Sequence, residues 1–321
     1  MADTIQGNKE YFKRFSKETN FHRDTLEKIY RLEDLLKEIN NHPELNKGLV
    51  LKGVTAINFL YFRYPRLSID LDFNFVSGIG KRKKDETIPV IDLALRSIFN
   101  FKGYKYEVIS DYGLIRYFLK YTNASNNIDR IKVEVNLLHR LSVLDSEQKY
   151  FLSPFGNSNL SINTLQGPEL FAGKILALMD RMAPRDLYDI YTLLKEKIEF
   201  DKTLLKKIFI FFGCFSRKNF RLYHPDSIEN ITEEDIKRQL LPLLRKKEKA
   251  RSGEMIKKVK PFLKREIFNF TTGENEYIDS FLKGEFKQEA LFEKLLHGKI
   301  LARHPMVIWK QRHIKNFLYN S

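Results

Sequence analysis

The sequence predicts an α+β protein, a mixed β-sheet with flanking helices in the N-terminal half followed by a helical C-terminal half. Two patterns carry that prediction. Between residues 68 and 137 several short runs alternate polar and apolar residues at period two, as half-buried strands do. From Phe200 onward apolar residues recur at helical spacing in one segment after another. A turn-rich stretch with Pro154, Gly156 and several Asn and Ser residues separates the two, so a core domain over 1–160 and a helical domain over 161–321 are expected.

Composition sets the outer limits. The 321 residues are 43% apolar, enough for a sizeable core, with 26 Phe. No run of 18 or more apolar residues occurs, which argues against a membrane-spanning helix. The N-terminus, MADTIQGNKEYFKRF, lacks the apolar centre of a signal peptide, and a cytoplasmic location fits. The single cysteine, Cys214, excludes an internal disulfide and a cysteine-based zinc site; its neighbours Phe212 and Phe215 suggest a core position. The formal net charge of +15 favours polyanionic partners, chiefly nucleic acid. A codon bias towards lysine would produce the same surplus without a ligand, so clustering has to decide.

Taken in order, the chain begins a helix near Asn8, and Leu26, Ile29, Leu32, Leu35, Leu36 and Ile39 mark a packing helix over 21–40. An apolar run, Leu49-Val50-Leu51, leads to Lys52 and Gly53, a helix-like segment from Thr55 to Phe62, and a proline-bearing turn around Pro65. Residues 68–75 then alternate cleanly as a strand, with Ile69, Leu71, Phe73 and Phe75 on one face and Ser68, Asp70, Asp72 and Asn74 on the other. The run Lys81-Arg82-Lys83-Lys84 reads as an exposed basic loop within 77–86, followed by a helix over 88–99 with Pro89 in its first turn. Strands are expected over 104–110, 114–121 and 131–137, the first two joined by a hairpin turn at Asp111-Tyr112-Gly113. The third presents Lys132, Glu134 and Asn136 on its polar face.

Thr164, Pro168 and Glu169 open the next helix as cap, first-turn proline and first-turn acid. Within it Lys174 and Arg181 are two turns apart and share a face, while Ile175, Leu178, Met179 and Met182 line the other. Pro184 ends this helix, and Arg185-Asp186-Leu187-Tyr188-Asp189 starts another. Further helices are expected over 202–215, 233–247, 254–268, 275–283, 287–296 and 304–317. Basic residues cluster there: 245–265 holds ten Lys or Arg against two Glu, and 297–321 holds five and no acid. Trp309, Phe317 and Tyr319 in that tail suit either base stacking or the packed face of a terminal helix.

The chemistry concentrates at Asp70 and Asp72. Two carboxylates side by side on one strand face repel each other, and a hard divalent cation offsets that cost while also binding phosphate oxygens. The same spacing also suits a solvated strand edge, so context has to decide. Lys52-Gly53-Val54-Thr55-Ala56 followed by Ser68-Ile69-Asp70-Leu71-Asp72 resembles the first motif of the nucleotidyltransferase superfamily typified by DNA polymerase beta, and more narrowly the AbiEii/AbiGii toxin family. Lys174, Arg181 and the Arg-Asp-x-x-Asp run at 185–189 resemble a second motif, and the resemblance covers roughly 49–191. The chain departs from the pattern at Val54, where Gly or Ser is usual; a β-branched residue is stiff and disfavours positive φ.

The resemblance implies a nucleotidyltransferase-type sheet whose Asp70 and Asp72, with Glu134 as the third carboxylate, hold Mg²⁺ or Mn²⁺ and catalyse transfer from an NTP co-substrate. It implies that Lys52, Gly53, Thr55, Ser68 and Arg181 contact or position the nucleotide, that Lys174 meets its phosphates, and that Asp186 or Asp189 holds the lysine or assists catalysis. Which aspartate takes that role stays open, since an Arg185–Asp189 pair that pins a helix start explains the spacing as well. At family level the resemblance implies a toxin that transfers a nucleoside monophosphate to RNA such as the 3′ end of tRNA, with a cognate antitoxin as partner. A small-molecule nucleotidyltransferase and a catalytically silent RNA-binding module are the other readings.

Overall fold

The computed structural model describes residues 9–76, 80–156, 158–216, 218–292 and 301–318. Its chain divides into two compact units: Met1–Arg140 with Ser146–Leu165 and Leu243–Glu248, and Leu141–Asp145 with Gln166–Pro242 and Lys249–Ser321.

The first unit opens with helices α1 (Lys9–Thr19), α2 (Arg23–Asn41) and α3 (Pro43–Gly48). Strand β1 (Leu49–Lys52) runs into the short helix α4 (Gly53–Ala56), which continues through a wider π-helical turn over Ile57–Tyr61. There follow β2 (Asp70–Phe75), α5 (Lys81–Phe101), the hairpin β3 (Lys105–Ser110) and β4 (Leu114–Thr122), then β5 (Ile128–Asn136), β6 (Glu147–Tyr150) and β7 (Ser161–Thr164). The seven strands form one mixed sheet in the order β3-β4-β5-β2-β1-β7-β6. β2 lies parallel to β5 and antiparallel to β1, which places the D-x-D strand in the sheet's interior.

Alternation explains the layering. Leu71, Phe73 and Phe75 of β2, Tyr117 and Leu119 of β4, and Ile131, Val133 and Val135 of β5 are buried on one face. α5 covers that face with Ile91, Leu95 and Phe99; its Asp92 accepts a hydrogen bond of 2.6 Å from the Tyr117 hydroxyl, and Phe99 packs edge-on to the same ring. α2 adds Arg31, whose guanidinium stacks 4.2 Å from the Tyr121 ring centroid. Asp70, Asp72, Lys132 and Glu134 stand on the opposite face.

Several expectations need correction. The basic run at 81–84 is the first turn of α5, not a loop, and Lys84 is buried over the Tyr112 ring rather than exposed. Pro89 consequently sits inside α5; it faces solvent, where water can satisfy the carbonyl its ring leaves unbonded. Thr164 is the last residue of β7, its hydroxyl donating to the Leu51 carbonyl at 3.0 Å, and Gln166 takes the cap position of the following helix. The segment 77–79, within the expected loop, lies outside the described residues.

The second unit is helical: α6 (Gly167–Arg181), α7 (Pro184–Lys195), α8 (Lys202–Gly213), α9 (Glu233–Asp235), α10 (Ser252–Phe262), α11 (Thr272–Leu282), α12 (Gln288–Phe292) and α13 (Pro305–Leu318). α6 stops at Met182, which takes a left-handed conformation, and Pro184, expected to end that helix, instead opens α7 one residue ahead of the expected start at Arg185. The helix expected over 233–247 is instead α9, a π-turn over Ile236–Leu240 and a 3₁₀ turn containing Pro242, which cannot continue the hydrogen-bond ladder. Cys214 is buried, and burial pushes its thiol pKa up. Residues 293–300, the side chain of Phe317 and all of Tyr319 lie outside the described residues; Trp309 stacks on His313. Among the described residues no helix is long and apolar enough to cross a membrane.

Candidate active site

In the first unit the sheet register assembles an acidic row that the sequence alone shows only in pieces. Asp70 on β2 is paired with Lys132 on β5, and Asp72 with Glu134. On the other side Lys52 of β1 faces Asp72. Glu134 is in turn opposite Arg116 of β4. Directly paired residues project to the same face, so three carboxylates, two lysines and an arginine share one half-buried patch of the sheet.

Lys132 ties the row together: its Nζ lies 2.5 Å from Glu134 Oε2 and 3.5 Å from Asp70 Oδ2. Burial raises the Asp72 carboxyl pKa, against the lowering effect of Lys52 and Lys132; Glu134 and Asp70 add to the rise. Lys52 shifts the opposite way for the same reason, since burial disfavours its ammonium more than Asp72 and Glu134 favour it. The row is therefore a set of mutually dependent charges rather than a solvated edge.

Gly53 sets the distance between the row and α4. Its φ is +74°, and a Cβ built there would stand 2.5 Å from Asp72 Oδ2. Only glycine meets both conditions. Val54, the departure from the family pattern, is not in the positive-φ region and sits inside α4, so its β-branch imposes no backbone strain. Thr55 and Ser68 lie behind the row. Both are buried; the Thr55 hydroxyl is bonded to Ser68 Oγ at 2.9 Å and also to the Asp70 carbonyl, so together they brace the start of β2.

A second charged cluster lies in the second unit, between α6 and α7. Lys174 Nζ is 2.7 Å from Asp186 Oδ1 and 3.0 Å from Asp189 Oδ2, all three side chains buried. Arg181 reaches the same Asp186 through two nitrogens, at 2.6 and 2.8 Å. Burial alone would raise the Asp186 pKa, but Lys174 and Arg181 outweigh it and hold the carboxyl well below the usual carboxylate range. The sequence left two aspartates competing for one role; Lys174 binds both, and Arg181 braces Asp186.

The donor set on the sheet, carboxylate oxygens only, is the chemistry a hard cation such as Mg²⁺ or Mn²⁺ takes. Among the described residues no three acidic, His or Cys side chains converge on a single ion position as arranged, and the Lys132 ammonium lies between two of the candidate ligands. The donors thus fit a divalent cation in kind, and loading one requires Lys132 to move. Lys132 and Arg116 are the site residues that sequence reading passed over. Lys132 was visible beside Glu134, but its partnership with Asp70 depends on β2 pairing parallel to β5 across more than fifty residues of chain, which no local pattern encodes.

Comparisons with known proteins bear on the family and the fold of the chain. Residues 34–281 match the family model described as "Nucleotidyl transferase AbiEii toxin, Type IV TA system". Among solved structures, the chain resembles MenT4, a nucleotidyltransferase toxin from Mycobacterium tuberculosis H37Rv, with a TM-score of 0.62 at 16% identity, covering 97% of this chain and 98% of that one. A structure of the CdnC:HORMA-deltaN complex from E. coli MS115-1 also matches, at 11% identity over 93% of this chain and 100% of that one, but its TM-score of 0.25 carries no argument. No curated protein matches the chain.

Proposed function

The chain belongs to the AbiEii family of nucleotidyltransferase toxins of type IV toxin–antitoxin systems, a family that implies a cognate antitoxin, and from that premise we propose that it transfers a nucleoside monophosphate from an NTP to an RNA acceptor such as the 3′ end of tRNA. The observation that carries this reading is the acidic row of Asp70, Asp72 and Glu134, backed by the glycine turn that presses Gly53 against Asp72. Three carboxylates on one face of a sheet interior have a steep cost as structure and a plain use in phosphoryl chemistry.

In this reading Asp70 and Asp72, with Glu134 beside them, hold a divalent cation. When bound, such a cation supplies charge neutralisation at the transferring phosphate and acidifies the acceptor hydroxyl. The chain's own groups do the rest. Lys52 stands beside Asp72, placed to meet the triphosphate, whose negative charge favours its ammonium against burial, and Thr55 and Ser68 keep the start of β2, hence Asp70, in place. The acceptor hydroxyl oxygen bonds to the α-phosphorus, the bond to the bridging oxygen breaks, pyrophosphate leaves, and the hydroxyl proton passes to a carboxylate of the row. In the second unit Lys174 serves phosphate binding, with Asp186 and Asp189 holding its ammonium and Arg181 as the more exposed cation of the cluster.

Incubation with Mg²⁺, each NTP labelled at the α-phosphate and total tRNA tests the proposal beside an Asp70→Asn/Asp72→Asn control. Label on tRNA only with the intact aspartates is the expected result and names the nucleotide. Label on a small acceptor would move the chain to another substrate class, and no label on any acceptor would overturn the transferase reading for this chain.

A further inference from the structure

The open face of the sheet carries a second row that the acidic chemistry leaves unused. Lys105 on β3 is paired with Lys120 on β4, and Lys120 with Arg130 on β5. Three cations thus stand directly opposite one another across three adjacent strands, roughly 4.8 Å apart from strand to strand, and all three are exposed. Like charges in directly opposed positions destabilise a sheet. Edge lysines are a common guard against unwanted strand pairing, which accounts for Lys105 on the edge strand β3 but not for Lys120 and Arg130 on interior strands. Glu107 offsets part of the repulsion through an ion pair of 2.5 Å with Lys120, and the row keeps a net positive charge.

The next row of the same face is Glu107, Phe118, Lys132 and Asp70, in register across β3, β4, β5 and β2. Phe118 is the aromatic in a row otherwise charged, and the Arg130 guanidinium stands 5.5 Å from its ring centroid. Ile128, 83% exposed, flanks the basic row at the start of β5. From Arg130 to Asp70 is two residues along the strands and one strand across, about 8 Å. Cations that bind backbone phosphates, with an aromatic and an arginine plane beside them, are the elements of a single-strand platform.

We infer that this face docks a single-stranded RNA end: Lys105, Lys120 and Arg130 take its phosphates, Phe118 with Arg130 takes a base, and the terminal hydroxyl is led to Asp70. The inference rests on the transferase reading for the hydroxyl's fate, but the docking itself does not. A single strand fits better than a duplex, because a stacking ring has a use only where bases are unpaired.

The test measures fluorescence anisotropy of a short labelled single-stranded RNA as a function of salt, with the full-length protein carrying Asp70→Asn so that no transfer occurs. Against this background, Lys105→Gln/Lys120→Gln/Arg130→Gln is expected to weaken binding at least tenfold and to reduce the slope of log K against log salt by about 2, at roughly 0.7 per single-strand phosphate contact. Phe118→Ala is expected to weaken binding with the slope unchanged. The triple variant should melt no lower than its parent, since it removes repulsion. Lys9→Gln/Lys13→Gln/Lys17→Gln on α1 removes the same charge elsewhere; an equal loss there would mean diffuse attraction and overturn the inference. An unchanged slope in the sheet variant would overturn it too, as would binding of polyglutamate but not RNA to the same row, which would point to an acidic protein partner. Wild-type protein that transfers label to RNA while the sheet variant binds normally would sink the docking face and leave the transferase reading standing. RNA binding lost in the sheet variant, with no transfer by wild type, would do the reverse.

Discussion

At the scale of single residues, Gly53 and Lys132 make the sharpest statements. Gly53 combines a left-handed backbone with a 2.5 Å approach to Asp72 Oδ2, so Gly53→Ala incurs about 1–2 kcal/mol of backbone strain and pushes the Asp72 carboxylate out of its place in the row. Transferase activity is expected to fall by two orders of magnitude or more while the fold survives, which activity assays beside thermal melts will check. Val54→Gly, which restores the usual family residue, is expected to give no gain in activity and to cost about 0.5–1 kcal/mol, because Val54 already occupies ordinary helical backbone. A large gain from that change would show that the reading of the turn is wrong. Lys132 makes a different prediction. Its ammonium bridges Asp70 and Glu134, so a divalent cation has to displace it. Lys132→Met is expected to bind Mn²⁺ at least tenfold more tightly than wild type in the absence of nucleotide, by electron paramagnetic resonance titration, and Lys132→Arg to remain weak. Equal affinities would mean that the ammonium does not compete for those oxygens. The sequence shows a Lys two residues before a Glu on one strand; that the Lys serves an aspartate on another strand is a fact of register and not of composition.

At the scale of elements, what was legible followed local periodicity, and what was missed depended on partners. The alternation read at 68–75, 114–121 and 131–137 marks the strands found at 70–75, 114–122 and 128–136, because one face of each is buried. The basic run at 81–84 misled because four consecutive cations resemble a solvated loop, whereas the aromatic ring of Tyr112 gives Lys84 a buried place on a helix. The α6–α7 pair was legible as a charge spacing, but its chemistry lies in the burial of Lys174, Asp186 and Asp189 together. A carboxyl held below its unfolded pKa stabilises the fold fully above that unfolded value, near 4, and the stabilisation is lost as pH falls through the folded value. Wild type should therefore keep the α6–α7 contact down to pH values below the ordinary carboxylate range. Arg181→Gln removes one of the two cations that outweigh burial, so its acid unfolding should begin at higher pH, followed by circular dichroism, with little change at neutral pH. Lys174→Met is the harsher change, leaving two buried carboxylates without their shared cation at a cost of about 3–5 kcal/mol. Loss of activity in that variant counts as evidence for phosphate binding only where its melting curve shows a folded protein.

At the scale of the whole molecule, the first unit is not a contiguous piece of chain. Residues Leu243–Glu248 return to it from beyond the helices α6 to α9. The returning segment has defined partners there: Leu67 donates its backbone N–H to the Leu243 carbonyl at 3.0 Å, Lys246 donates to the Asn20 carbonyl at 2.8 Å, and Leu244 is buried. The Arg245 guanidinium lies 5.0 Å from the Phe21 ring centroid and 5.9 Å from that of Tyr64. Sequence reading saw 243–247 as the end of a helix and 245–265 as a basic cluster, because a segment's long-range partners leave no periodic trace, and a turn with Pro and Gly near 154–156 looked like the natural seam. A chain ended at Leu165 keeps every strand of the sheet yet loses this segment. Burial of Leu244 contributes about 1.5–3 kcal/mol, two hydrogen bonds about 0.5–1.5 kcal/mol each, and the arginine–aromatic contacts about 0.5–2 kcal/mol. Those contributions are comparable to the whole net stability of a small domain. The 1–165 chain is therefore expected to lack a cooperative thermal transition, and the same chain carrying 243–248 on a flexible glycine–serine linker to regain one. Matching melting curves for the two would show that the sheet folds without its returning segment, and that 243–248 is held by the first unit without helping to hold it.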